Sequence, residues 1–160
     1  MSSAQKKHVY DYFVDEHGSW FCEGNPVSDP QLFRILSRSL FQKEGRYFVL
    51  CEGEVHPVRV ADAPLWVRYV HVREDLQGNP AGVEIELQDG RREPLSAETL
   101  TVADNRALYC TATNRGLKAR FGKAAYYELT RYLQCDDEAN TYYFVIQGTR
   151  YDIASYPQRV

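Results

Sequence analysis

Apolar residues occur along much of the chain either in short runs rich in β-formers or in alternation with polar residues, and both patterns are typical of strands. The clearest case is residues 83–88, where valine, isoleucine and leucine alternate with two glutamates and a glutamine. The same reasoning predicts strands at residues 47–51, 58–60, 65–72, 107–113, 142–146 and 149–153, and an aromatic hairpin from residues 10–14 and 19–22. The Asp89-Gly90 and Gln147-Gly148 pairs predict hairpin turns.

Two segments instead carry apolar residues at helical spacing. The first begins near Ser28, a candidate N-cap, and places Leu32, Leu36 and Leu40 on one face before Gly45 ends it. The second covers residues 123–133 and is followed by a predicted polar loop at residues 134–139. Strands, a helix, more strands, a second helix and a final hairpin favour an α+β fold over a parallel doubly wound sheet.

Composition narrows the class of protein. The chain has 160 residues, enough for one core or two small lobes, and its net charge is −3 at pH 7. An acidic chain is not expected to coat nucleic acid. The four cysteines are scattered, and neither a signal peptide nor a membrane-spanning run is recognisable. We therefore expect a cytoplasmic protein with reduced thiols that uses no metal or cofactor and does not bind membranes.

Positive charge is concentrated between residues 114 and 133. This stretch contains Arg115, Lys118, Arg120, Lys123 and Arg131 but a single acid, Glu128. Because Gly116 and Gly122 bracket cationic residues directly before a predicted helix, we predict a loop at residues 114–123 that binds an anion. The alternative is a solvated face, or pairing with the protein's own acids such as Asp62, Asp136 and Asp137.

No motif for a particular reaction is present. The sequence lacks the GxxxxGK[ST] phosphate loop, and its four histidines show no metal-binding spacing. A hydrolase or transferase would need Cys51 to meet His56 or His71 in space, which spacing alone does not predict. A structural or oligomeric subunit is a further alternative, for which an exposed apolar patch or self-association would be the mark.

Several segments, taken in order, resemble bacterial proteins of the domain of unknown function 1285 (DUF1285) family. In the N-terminal part these are GSWFCEGNPV, LFRILSRSL, EGRYFVLCEGE and VRVADAPLWV, and in the C-terminal part NRGLKAR, AAYYEL and TYYFVIQGTRYDI. The similarity covers about residues 18–154. The chain departs from the family pattern at Cys51-Glu52, at Ala61 and at Asp104-Asn105-Arg106, where a His-Pro-Leu-Arg-like run is expected.

The resemblance implies an α+β protein with two small lobes of mostly antiparallel sheet, each with one main helix. We divide the chain into an N-terminal extension (1–17), an N-terminal lobe (18–62) and a C-terminal lobe (63–160). The resemblance also implies ligand binding or signal transduction, with no defined activity. With the charge pattern, it predicts a non-enzymatic protein that binds an anionic small molecule or an acidic protein segment near the 114–123 loop, between the lobes. The residues expected there are Arg115, Lys118, Arg120, Lys123, Tyr126, Trp20 and Asp62.

Overall fold

A computed structural model describes residues 8–155 of the chain. The protein divides into two compact units, Met1–Pro64 and Leu65–Val160. The first unit contains strands β1 (Tyr12–Val14), β2 (Trp20–Cys22) and β3 (Asn25–Pro26), helix α1 (Pro30–Ser39), and strands β4 (Phe41–Lys43), β5 (Arg46–Cys51) and β6 (Glu54–Val60). Strand β1 lies inside the stretch assigned to the N-terminal extension.

The first unit is built on one six-stranded sheet in the order β3-β2-β1-β6-β5-β4. All neighbouring strands are antiparallel except β1 and β6. The predicted aromatic hairpin is confirmed, with Phe13 opposite Phe21 in β1 and β2. Val14, Val49 and Leu36 are fully buried, so the core lies between one face of the sheet and α1, which packs against β5.

Helix α1 differs from its predicted bounds at both ends. Asp29, not Ser28, is the N-cap, and its carboxylate accepts from the amide of Gln31 at 3.0 Å. The helix ends at Ser39 rather than near Gly45, because the following residues form the β4–β5 hairpin. Gly45 has φ 76° and completes the turn of that hairpin. A glycine with positive φ suits a hairpin turn as well as a helix end, and the sequence alone does not distinguish them.

The second unit contains two sheets. Its elements are β7 (Leu65–Glu74), β8 (Pro80–Leu87), β9 (Arg92–Pro94), a 3-10 turn (Ala97–Thr99), β10 (Thr101–Val102), β11 (Leu108–Ala112), β12 (Leu117–Phe121), α2 (Lys123–Thr130), β13 (Gln134–Asp136), β14 (Thr141–Ile146), β15 (Thr149–Asp152) and β16 (Ala154–Ser155). The larger sheet runs β16-β10-β11-β12-β7-β8-β9, and the smaller runs β13-β14-β15.

Helix α2 fixes the core of the second unit. It packs against β7, with Ala125 and Leu129 buried, over a sheet whose Leu65, Val67 and Ile85 are fully buried. The predicted hairpins at Asp89-Gly90 and Gln147-Gly148 are confirmed. The predicted polar loop at residues 134–139 is wrong in its first half, which forms β13 and pairs with β14.

The predicted fold class is confirmed: the protein is α+β, with mostly antiparallel sheets and one α-helix in each unit. Within the larger sheet of the second unit, β7 is parallel to β12 and β10 is parallel to β16. Strand β12 therefore lies in the middle of the larger sheet, between β11 of the β10–β11 hairpin and β7. This central position determines which groups its charged side chains contact.

Candidate functional site

The cationic segment before α2 is a strand, so the predicted anion-binding loop at residues 114–123 is wrong as a structure. Leu117, Ala119 and Phe121 are buried, and they alternate with half-buried Lys118 and Arg120. Strand β12 pairs with β11 on one side and β7 on the other. Its backbone groups are therefore engaged in the ladders and do not converge at a helix N-terminus. The signal was present in the sequence, as a strict alternation over five residues.

Arg115 follows the turn after β11 and forms a buried ion pair. Its Nη2 atom donates to Oδ2 of Asp89 at 2.9 Å, and the Arg115 and Asp89 side chains are 15% and 0% exposed. The other carboxylate oxygen of Asp89 accepts from the amide of Arg91 at 3.0 Å. The Arg115 guanidinium thus holds the β8–β9 turn, and its predicted contact with a ligand stays a prediction.

Lys118 and Arg120 lie on one face of the larger sheet, above aromatic rings. The Lys118 ammonium is 4.3 Å from the centre of the Tyr109 ring, and the Arg120 guanidinium carbon is 5.2 Å from that of Trp66. These distances are in the range of cation–π attraction, which reaches about 2 kcal/mol when the pair is desolvated. Lys123 is exposed and begins α2.

The seven predicted site residues are divided between the two units. Trp20 and Asp62 belong to the first unit. Trp20 is 3% exposed and packs its ring against Tyr12 and Phe33, so it is a core residue of that unit. Asp62 is half-buried after β6. The other five lie in the second unit, and Tyr126 is the one that lines the cavity described below.

The residues of the catalytic alternative are divided between the two units. Buried His56 accepts a hydrogen bond from the Tyr10 amide through Nδ1 at 3.0 Å. His71 lies in the other unit, with Nε2 3.0 Å from Oε1 of Glu86. Among the described residues of the first unit, Cys51 makes no hydrogen bond to His56. Burial also raises the pKa of the Cys51 thiol, which lowers its thiolate fraction.

A cavity of about 520 Å³ in the second unit is the best candidate for a ligand site. It lies among the β10–β11 loop, the second half of α2 and the smaller sheet. The described residues that line it are Val102, Ala103, Arg106, Leu108, Tyr126, Thr130, Leu133, Asn140, Thr141, Tyr142, Phe144 and Ile153. Small-molecule sites typically have volumes of about 300–1,000 Å³ and mostly apolar walls with a few polar groups, and this cavity fits both criteria.

Arg106 is the one charged side chain among the described residues that line the cavity. It is the last residue of a three-residue loop, Asp104-Asn105-Arg106, closed by a bond from the Ala103 amide to the Ala107 carbonyl at 2.9 Å. Its φ of 67° is left-handed. Hairpin loops of three residues usually place glycine at such a position, because a side chain there strains the backbone. The chain therefore keeps an arginine beside the cavity at an energetic cost.

One polar group beside the cavity is an unused hydroxyl. Oγ1 of Thr141 is buried and has no hydrogen-bond partner in the part of the chain that the structure describes. Thr130 is satisfied, because its hydroxyl donates to the Tyr126 carbonyl at 2.8 Å. Asn140, beside Thr141, also has a left-handed φ, of 54°. Sequence reasoning missed Arg106, Asn140 and Thr141 as site residues, since nothing local shows that their segments meet.

No helix within residues 8–155 is long and apolar enough to cross a membrane. The same part of the chain contains no cluster of three or more His, Cys, Asp or Glu side chains that could hold a metal ion. The four cysteines are free thiols.

Two sheet-based units, each with one α-helix, define an α+β protein whose fold can be compared with known structures. No family model matches the sequence, and no curated protein shows significant similarity to it. The fold is similar to that of a DUF1285 family protein from Silicibacter pomeroyi DSS-3, with a TM-score of 0.73 and 20% identity over 91% of this chain and 80% of that one. A DUF1285 family protein from Shewanella baltica OS155 gives a TM-score of 0.59 and 19% identity over 75% of this chain and 90% of that one. The protein therefore has the DUF1285 fold, which confirms the resemblance at the level of structure.

Proposed function

We propose that the protein is a non-enzymatic binding protein for a small organic anion, and that the anion occupies the cavity lined by Arg106, Tyr126 and Thr141. One observation carries the proposal: a mostly apolar cavity of about 520 Å³ has a single cation among its described lining residues, on a strained loop position. Strained residues concentrate at functional sites, where the surroundings hold them in place.

The chemistry of the walls narrows the class of anion. Leu108, Leu133, Phe144 and Ile153 offer apolar surface, so the ligand needs an apolar body. A guanidinium pairs best with a planar carboxylate, to which it can donate two parallel hydrogen bonds. The ligand class that fits is a monocarboxylate on an aromatic or short aliphatic body.

The proposed role agrees with what the sequence predicted for the whole protein. The ligand-binding, signalling-type role that the sequence resemblance to DUF1285 proteins implies and a bacterial cytoplasmic setting belong to the same proposal. The site differs from the predicted one, because the anion is placed at Arg106 and Tyr126 and not at the 114–123 segment.

The test is a comparison of matched acids and amides. Isothermal titration with benzoate and benzamide, and with hexanoate and hexanamide, should show tighter binding of the acid in each pair. A hydrogen bond to a charged group contributes about 1.5–3 kcal/mol, so the preference for the acid should be roughly tenfold to hundredfold. In Arg106→Asn the preference should disappear, because asparagine tolerates the left-handed backbone but carries no charge. Arg106→Lys should keep part of it.

Arg91→Asn provides the matched control. Arg91 is exposed in the β8–β9 turn of the same unit and does not line the cavity, so this variant removes the same charge elsewhere. It should bind both acids as the wild type does. Equal binding of acids and amides by the wild type, or an acid preference that survives in Arg106→Asn, would show that the Arg106 cavity does not recognise an anion.

A further inference from the structure

The sheet of the first unit carries apolar side chains on the face opposite its core. On β4, β5 and β6, Phe41, Leu50 and Val55 are 37%, 49% and 48% exposed. Leu50 lies opposite Val55, and half-buried Phe48 lies between Phe41 and Pro57 in register. We call this set of five residues, Phe41, Phe48, Leu50, Val55 and Pro57, the Leu50 face. It is contiguous because its members are direct cross-strand neighbours.

The Leu50 face breaks the usual pattern for a sheet with one buried side. Buried Val49, His56 and Val58 occupy the alternate positions of β5 and β6, so the other side of these strands already supplies the core. The outward positions of such strands are normally polar. Here five of them are aromatic, aliphatic or proline, and contiguous exposed patches of this kind mark interaction surfaces.

Opposite charges lie at the two ends of the Leu50 face. At one end, beside the β4–β5 turn, Lys43 and Arg46 are paired across the strands on the same side as Phe48, and Glu44 lies in the turn. At the other end, exposed Glu52 lies in the β5–β6 turn. One end thus carries a net positive charge and the other a negative one, about 20 Å apart for six residues of strand.

This arrangement matches itself under a two-fold rotation. If two copies pack their Leu50 faces together about an axis lying between the sheets and across the strands, their β5 strands run in opposite directions. Phe48 of each copy then meets Leu50 of the other, and the Arg46 end of each meets the Glu52 end of the other. Isologous contacts need this self-complementarity, and sheets commonly pack face to face in this way.

We propose that the Leu50 face is a homodimer interface whose occupant is a second copy of this chain. A uniformly acidic or basic partner would leave one charged end of the face opposed by like charge, whereas a second copy satisfies both ends. The face consists of five residues, few beside the roughly 20–30 residues on each side of a stable interface, so we expect the dimer to form only at high micromolar concentration.

Sedimentation equilibrium of the full chain from 5 µM to 1 mM tests the proposal. The wild type should shift from monomer to dimer over this range. Leu50→Glu places a charge at the centre of the contact and should remain monomeric throughout. Leu76→Glu is the matched control, since Leu76 is 100% exposed in the β7–β8 turn of the other unit, and it should dimerise as the wild type does.

A charge exchange tests the orientation independently of Leu50. Arg46→Glu and Glu52→Arg should each raise the dimer dissociation constant at least threefold, and the double variant should restore it because the charges again face opposite signs. A wild type that is monomeric at 1 mM would overturn the proposal. A dimer that Leu50→Glu leaves intact, or that the double variant does not restore, would place the contact elsewhere or in another orientation.

Discussion

Arg106 combines a functional side chain with an unfavourable backbone. A left-handed conformation costs a residue with a side chain roughly 1–2 kcal/mol, and glycine avoids that cost. We therefore expect Arg106→Gly to raise the free energy of unfolding by about 1 kcal/mol, measured by urea denaturation, while the variant loses its preference for carboxylates over amides. Stability and binding would then change in opposite directions, as they do at strained functional sites.

The control for this prediction is Arg91→Gly. Arg91 has no left-handed φ, so glycine there only adds freedom to the unfolded chain and should lower stability slightly. A loss of stability in Arg106→Gly that matches or exceeds the loss in Arg91→Gly would mean that the Arg106 loop is not strained.

Arg115 is the residue for which the structure changes the expected result most. If Arg115 were simply a cation in a loop, its replacement would lower the unfolding free energy very little. Its ion pair with Asp89 is buried, however, and its removal takes a cationic partner from the fully buried Asp89 carboxylate. Breaking such a pair costs about 3–5 kcal/mol. Arg115→Ala should therefore lower the unfolding free energy by about that amount in urea denaturation.

Arg131→Ala is the comparison for Arg115. Arg131 pairs with Glu128 at 3.2 Å, but its side chain is 65% exposed. An exposed pair of this kind contributes about 0–1 kcal/mol, so the variant should lose at most that much. Equal losses in the two variants would show that the Arg115 pair is no stronger than an exposed one.

Single residues were predictable where a local rule applied and not where a distant partner decided the outcome. Asp89 was recognised as a turn residue from Asp89-Gly90, and that turn is confirmed. Its pairing with Arg115 joins positions 26 residues apart and was not predictable. Arg106 was singled out only because it departs from the family pattern. Nothing in its sequence neighbourhood shows that it lines a cavity with Thr141.

The strands β7, β8 and β9 are tied together by one carboxylate. Oε1 of Glu86 on β8 is 3.0 Å from Nε2 of His71 on β7 and accepts from Nε of Arg92 on β9 at 2.9 Å. The hydrogen bond with His71, opposed by burial and aided by the charge of Arg92, lowers the pKa of Glu86 below its ordinary value. A carboxyl group with a lowered folded-state pKa stabilises the fold above its unfolded-state pKa and loses that effect as the pH falls through the folded value.

Glu86→Gln should consequently lower the unfolding free energy by about 1–2 kcal/mol at pH 7. As the pH falls below about 4.3, the ordinary glutamate value, the difference between wild type and variant should shrink toward zero. Urea denaturation at pH 7, 5, 4 and 3 measures this. Glu84→Gln on the same strand, at an exposed position, should show no comparable trend. A difference between wild type and Glu86→Gln that is independent of pH would exclude the proposed charge contribution.

Elements with a clear period were predictable, and errors arose where two rules competed. Residues 117–121 alternate as strand residues do, but their positive charge and flanking glycines also favour a binding loop. They form β12 because β11 and β7 pair with them in the larger sheet. Gln134–Asp136 is polar on every side, and its strand exists because β14 offers an edge to pair with. Both strands depend on neighbours far along the chain, which local propensity does not contain.

The two proposed surfaces belong to different units of the molecule. The described residues that line the cavity lie between positions 102 and 153, and the Leu50 face lies between positions 41 and 57. The sequence predicted an α+β protein of two lobes, and that prediction is confirmed because strand and helix patterns repeat on both sides of Pro64. The predicted site, in contrast, drew on residues of both lobes. Charged and aromatic residues in a sequence do not show which surface of the folded protein they reach.

Amide hydrogen exchange on the full chain can separate the two surfaces. In the presence of saturating benzoate, protection should increase in the β10–β11 loop around Arg106, at the end of α2 and in β14 around Thr141, because these segments line the cavity. Ligand at a hundred times its dissociation constant stabilises the folded state by about 2.7 kcal/mol. Amides that exchange only through global unfolding are therefore also slowed, in every part of the chain that unfolds together with the site. The informative peptides are therefore the rapidly exchanging loops, which open locally.

Raising the protein concentration from 5 µM to 1 mM without benzoate should instead protect β4–β6 around Leu50 and leave the Arg106 loop unchanged. Benzoate-induced protection of local exchange in β4–β6, with none at Arg106, would contradict the assignment of the ligand to the second unit.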